Sequence, residues 1–149
     1  MLIQALNGEF IEIDVDDIEA VSGFNWRINN HGYAVYGDSG RTFLMHRVIL
    51  AASGTQVVDH SSGVRSDNRR SNIRICTHTQ NMQNRKRASH NRSGYKGVYR
   101  RRDTGKWCAE ISANGRRYRL ARGLATPEEA YELYCLAADL LHGRYSNHG

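Results

Sequence analysis

Residues 57–81 constrain this chain more than any other stretch. The apolar pair Val57-Val58 runs into Asp59-His60, and a polar loop containing Gly63 follows. Ile73-Arg74-Ile75 then alternates again, and Thr77-His78-Thr79-Gln80 has the Thr-x-x-Gln spacing of a capping box. In that box the Thr and Gln side chains satisfy each other's backbone N–H groups. The spacing therefore predicts a helix opening at Thr77, with Asn81 in its first turn. Strand, loop, strand and helix in so short a span would draw a carboxylate, an imidazole and a carboxamide toward a common point.

That residue set implies a chemistry. An imidazole near its ordinary pKa can take a proton from water at neutral pH. A hard cation on carboxylate and amide oxygens can stabilise charge on a phosphate and on its leaving oxygen. His60 would be the base, and Asp59 and Asn81 would hold Mg²⁺ or Mn²⁺. No zinc site is expected, because Cys76, Cys108 and Cys135 are widely separated and form no C-x-x-C pair. Each member also has a plain structural reading. The Asp-His pair can cap a turn, Asn72 can tie down its own loop, and Asn81 can be a helix surface residue. Asp59 and His60 are neighbours on a strand, so their side chains leave opposite faces unless the strand bends.

Charge distribution supports an anionic partner. Between residues 65 and 122 there are 17 Lys and Arg against three acids, within a chain of net charge +6. Such segregation suits a polyanion-binding face, although a solvated basic surface has the same composition. No apolar run approaches the roughly 18 residues of a membrane span, and no signal peptide precedes the first strand. The cysteine usage fits a reducing cytoplasm.

Upstream of the central stretch, Asn7-Gly8 marks a hairpin, and Asp14 to Val21 reads as a short helix burying Ile18 and Val21. Phe24, Trp26 and Ile28 alternate as a strand, Tyr33 to Tyr36 as another, and Thr42 to His46 as a third. His46 is open to two readings, a site residue or a hydrogen-bonded core histidine. Downstream, Arg85-Lys86-Arg87 stands at the expected helix end, where cations complement the helix dipole and also suit a phosphate backbone. Residues 88–94 have no apolar periodicity and read as a linker.

The last third alternates as three strands. Trp107, Ala109 and Ile111 share one face and Cys108, Glu110 and Ser112 the other, with Asn114-Gly115 as a tight hairpin. Thr126-Pro127-Glu128-Glu129 opens a helix. Its stripe Ala130, Leu133, Tyr134, Ala137 and Leu141 is expected to cover one face of the sheet. The other face would carry Tyr99, Arg117 and Arg119, a basic surface able to enter a major groove.

Two families share these patterns. Asp59-His60, Asp67-Asn68-Arg69-Arg70-Ser71-Asn72-Ile73-Arg74 and Gln80-Asn81-x-x-Asn84-Arg85-Lys86 resemble HNH endonucleases of phage and mobile-intron type, as does the upstream Met45-His46-Arg47. The resemblance implies a ββα-metal nuclease module and double-stranded DNA as substrate. It makes His60 the general base, Asp59 and Asn81 the metal ligands, and Asn72 the asparagine that braces the loop. Where that family continues Asp-His with Ile-Asn-Gly-Asp, this chain has Ser61-Ser62-Gly63-Val64. The segment from Ser93 to about Tyr145 resembles the ethylene-response-factor (AP-two) DNA-binding domain. Lys96-Gly97-Val98, Lys106-Trp107-x-Ala109-Glu110-Ile111 and Thr126-x-Glu128-Glu129-Ala130 carry the likeness. It implies Lys96, Tyr99, Arg101, Glu110, Arg117 and Arg119 as DNA-facing residues.

The expected fold is α+β: a small antiparallel sheet with a ββα module, then three strands on one helix. The nuclease domain is expected over 1–87 (scaffold 1–50, core about 55–87), the linker over 88–94 and the DNA-binding domain over 95–145. A homing-type endonuclease acting in a bacterial host, as a monomer or weak dimer with no membrane partner, is the leading expectation. A DNA-binding regulator retaining the nuclease module only as scaffold is the alternative. No RNA-binding module signature is present.

Overall fold

The computed structural model describes all residues 1–149. Two compact units make up the chain, Met1–Thr77 and His78–Gly149, and several small antiparallel sheets with few helices give a mixed α and β structure.

In the first unit β1 (Leu2–Gln4) pairs with β2 (Phe10–Glu12), with Ile3 opposite Ile11. A 3₁₀ turn at Val15–Asp17 leads into α1 (Ile18–Val21). β3 (Arg27–Ile28), β4 (Ala34–Asp38) and β5 (Arg41–Leu44) form a meander in that order. Only Arg27 and Ile28 of the expected 24–28 strand pair. Trp26 turns inward instead, and its indole Nε1 donates to Val21 O at 2.8 Å. The expected strand to His46 likewise stops at Leu44, where α2 (Met45–Ile49) begins.

β6 (Val57–His60) and β7 (Ile73–Cys76) then pair without a bulge. Ile11, Ile13, Trp26, Ala34, Met45, Ile49 and Ile73 gather in one core. Each large apolar side chain fully buried this way contributes roughly 1.5–3 kcal/mol.

The 61–72 loop is sewn to the N-terminal strands. Glu12 N donates to Ser66 O at 2.9 Å, and Asn68 N donates to Glu12 O at 2.7 Å. Arg70 N donates to Asp14 Oδ2 at 2.7 Å, while the Arg70 guanidinium forks onto the buried Asp17 carboxylate.

In the second unit α3 (His78–Gln83) precedes β8 (Val98–Arg100), β9 (Trp107–Ala113), β10 (Arg116–Leu124) and α4 (Pro127–His142), with strand order β10-β9-β8. The capping box is made as expected, with Thr126 accepting from Glu129 N and the Glu129 side chain reaching back to Thr126 N.

Ala109 and Ile111 of β9 pack under α4, Ala109 against Ala130 and Ile111 against Tyr134 and Ala138. The helix's leucines do not cover the sheet. Leu133 and Leu141 are exposed, along with Leu136 and Leu140. Alanines let the helix axis approach the strands closely, and the Tyr134 ring fills the remaining space over Gly97. A Cβ on Gly97 would lie 2.1 Å from Tyr134 Cδ2, and the backbone φ there is +71°. No helix is long and apolar enough to cross a membrane.

Candidate active site and nucleic-acid interface

Asp59, His60 and Asn72 all lie in the first unit, at the end of β6 and the start of β7, and all three are buried. Asn81 lies on α3 in the second unit. Strand alternation sends Asp59 and His60 toward different neighbours.

Asp59 faces its cross-strand partner Arg74, whose Nε and Nη2 both donate to Oδ2, at 3.0 and 2.8 Å. Direct opposition in an antiparallel pair sets up this contact, and charge on both groups strengthens it.

His60 turns instead into a cluster of rings. Its centroid is 4.8 Å from that of His46, with the planes at 81°, and 5.8 Å from that of Tyr33. The Arg65 guanidinium stacks 4.6 Å over Tyr33, and its Nη1 donates to His31 O.

Asn72 fastens the loop that leads away from His60. Its Oδ1 accepts from Ser61 Oγ (3.1 Å) and Ser62 N (2.9 Å), and its Nδ2 donates to Val64 O (3.1 Å) and Asp67 O (2.7 Å). One carboxamide thereby uses all of its polar capacity. Ser61-Ser62, the residues that depart from the family's Ile-Asn, supply two of those four bonds. Arg69 forks onto Asp67, which holds the Asp67 carboxyl below its usual range.

Burial lowers the His60 pKa, opposed in part by the Asn68 side chain and the Asp59 charge. A neutral ring at neutral pH is the form able to accept a proton. The pKa of His46 is lowered further, to about 3, chiefly by burial and also by His60.

The Asp59 carboxylate itself offers oxygen, which suits a hard cation, although its Oδ2 accepts from Arg74 Nε and Nη2. No three or more His, Cys, Asp or Glu side chains are gathered as a ligand set. A cation held at Asp59 would draw most of its ligands from water and phosphate, as Mg²⁺ commonly does.

Residues 43–83 match the family model described as HNH endonuclease. Over 145 residues the chain is 30% identical to an uncharacterised HNH endonuclease of Acanthamoeba polyphaga mimivirus, covering 93% of this chain and 74% of that relative. This chain belongs to the HNH endonuclease family. It is thus a member of a nuclease family, the phosphodiester hydrolases whose substrate is DNA and whose chemistry generally uses a divalent metal ion. No solved structure matches it.

The HNH match spans β5 through α3, so His46, Asp59, His60, Asn72 and Asn81 all fall inside it. Beyond it, the face of β8-β9-β10 turned away from α4 is basic. Glu110 organises this face, accepting from Tyr99 Oη at 2.9 Å and from Arg119 Nε at 3.0 Å, with Arg117 Nη1 at 3.9 Å. Tyr99, Arg101, Arg119 and Arg122 line one shallow hollow of about 270 Å³ on it. Arg101 is paired with Asp103.

Lys96 sits differently. Its ammonium donates to Gln83 O and Asn147 O, and burial lowers its pKa to about 8. Arg85, Lys86 and Arg87 are exposed.

Sequence reasoning named neither Tyr33, Arg65 and Asn68 around His60 nor the hold of Arg74 on Asp59. The Arg74 contact had a signal, since pairing Val57-Val58 with Ile75-Cys76 puts Arg74 opposite Asp59.

Proposed function

We propose that this HNH protein is a metal-dependent endonuclease of the homing type that cuts within or beside a recognised double-stranded site. The observation that carries the reading is the Asn72-fastened loop, which fixes a buried, neutral imidazole at the end of β6. In this mechanism His60 removes the proton from the attacking water. Asn68 and Asp59 favour the proton it has gained.

Asp59 and Asn81 are the proposed ligands of Mg²⁺ or Mn²⁺, which when bound would stabilise the negative charge on the phosphate and its leaving oxygen. Asn72 acts through the loop, by holding His60 in place. The proposed nuclease domain covers 1–87, followed by the 88–94 linker and a DNA-binding domain over 95–145 of the AP-two type. On that reading Tyr99, Arg117 and Arg119, with Glu110 aligning them, meet base edges. Arg85, Lys86, Arg87 and Arg101 add the phosphate-directed charge, whereas Lys96, expected from the sequence to face DNA, spends its ammonium on Gln83 O and Asn147 O.

A second reading rests on one contact. The Arg74 fork engages a carboxylate oxygen of the proposed metal ligand, which favours a DNA-binding protein whose nuclease module no longer turns over. Supercoiled plasmid carrying the gene's own genomic neighbourhood decides between them, incubated with Mg²⁺ or Mn²⁺, with EDTA, and with His60→Ala protein. Nicking or linearisation that requires both metal and His60 supports the endonuclease. Intact plasmid together with a clear gel shift supports the binding protein.

A further inference from the structure

We propose that His46 is a positioning residue that holds the plane of the His60 ring, an inference that rests on His60 being the general base proposed above. The strand-to-helix change after Leu44 turns His46 inward, where it is 4% exposed. Its ring meets that of His60 edge-on, with centroids 4.8 Å apart and planes at 81°. Tyr33 closes the triangle at 5.5 Å from His46 and 5.8 Å from His60, and Arg65 caps Tyr33 from outside. Contact on two sides by rings from two other elements, α2 and the turn before β4, leaves the imidazole little freedom to rotate about its Cβ–Cγ bond. Edge-to-face contact at this spacing is the favoured geometry for such rings.

What His46 brings to His60 is a ring edge rather than a hydrogen bond. His46 Nδ1 is buried with no hydrogen-bond partner, a penalty that a phenyl or isobutyl group in the same space would avoid. The ring also stays uncharged next to the base, because burial keeps it neutral. It therefore does not repel the imidazolium that forms when His60 accepts a proton.

Misplacing a catalytic group by about 1 Å costs up to about 100-fold in rate. His46→Ala opens a space beside His60 and is expected to lower kcat about 10- to 100-fold, with KM for DNA within about twofold of wild type. His46→Phe restores a ring at that position and is expected to recover most of the loss. A cleavage readout alone would tie this inference to the nuclease reading, so a second measurement reads His60 directly. In long-range ¹H–¹⁵N spectra of the full chain, assigned with His60→Ala, wild-type His60 is expected to show one fixed tautomer. His46→Ala is expected to give an averaged pattern, and His46→Phe a fixed one.

If the wild-type protein cuts no DNA, the nuclease reading fails while the spectra still decide the positioning. An unchanged His60 signature in folded His46→Ala protein overturns the inference, as does a loss in KM rather than kcat.

Discussion

Removing the Asn72 side chain tests the idea that one carboxamide holds the catalytic loop. Asn72→Ala deletes four hydrogen bonds, each contributing about 1 kcal/mol net, so the upper bound is about 4 kcal/mol. Ser62 and Val64 are exposed, and water can take over their backbone groups. The bond to Asp67 O is buried and has no such substitute. The expected loss is therefore about 2–3 kcal/mol, a large share of the 5–15 kcal/mol typical of a domain. Asn72→Asp should cost more, because it turns a carboxylate oxygen toward two carbonyls. Urea unfolding followed by fluorescence measures this in a Trp107→Phe background, where Trp26 alone reports the first unit. Cleavage should fall even at low temperature, where the weakened variant is still mostly folded, because His60 is no longer held, while binding through the sheet persists. A loss below about 1 kcal/mol with unchanged kcat would refute the bracing argument.

Three further outcomes are expected. The His46 pKa is about 3 in the folded chain against 6.5 unfolded. Below pH 6.5 the unfolded chain therefore takes up a proton that the folded chain refuses, and stability falls as pH falls. The loss attributable to His46 reaches about 2 kcal/mol by pH 5. Urea midpoints at pH 7.5 and pH 5 should show it in wild type, and a smaller drop in His46→Phe. Gly97→Ala forces a Cβ into the Tyr134 ring and onto Glu110 O, at a positive φ, so the Trp107-monitored melt of the second unit should collapse by several kcal/mol. An unchanged melt would mean that Tyr134 moves aside freely. Arg117→Ala with Arg119→Ala should weaken DNA binding and flatten the dependence of log K on log salt by about one to two units, measured by fluorescence anisotropy. An unchanged affinity and slope would take these arginines off the DNA-facing surface.

Local signals made much of the fold legible. Asn114-Gly115 turns β9 into β10, and Thr126 with Glu129 caps α4, because each depends on residues a few positions apart. The facing of α4 was not legible in the same way. Apolar residues cover more than half of its circumference, and periodicity alone favours the larger leucines. What decides is how near the helix lies to the strands, which selects Ala130 and Ala138 for the inside and leaves Leu136 and Leu140 in solvent.

The site divided along similar lines. Asp59, His60 and Asn72 stood out as a short window of suitable chemistry. The rings of Tyr33 and His46 come from other elements, and their approach to His60 depends on tertiary packing that no spacing encodes.

The stitching of the 61–72 loop to the N-terminal strands has a consequence for the growing polypeptide. Asp17 is buried, yet its guanidinium partner is 53 residues downstream, and Glu12 waits as long for Ser66 and Asn68. At translation speeds of about 5–20 residues per second, these groups emerge seconds before their partners. Until then the first third of the chain carries acids with nothing to fold against. Closure of the first unit over these acids therefore waits for residues 66–70, the stretch that also shapes the loop beside His60. A nascent fragment ending before Arg70 would lack both the scaffold's closure and the shaped loop, so assembly of the scaffold and shaping of the loop beside His60 are timed together.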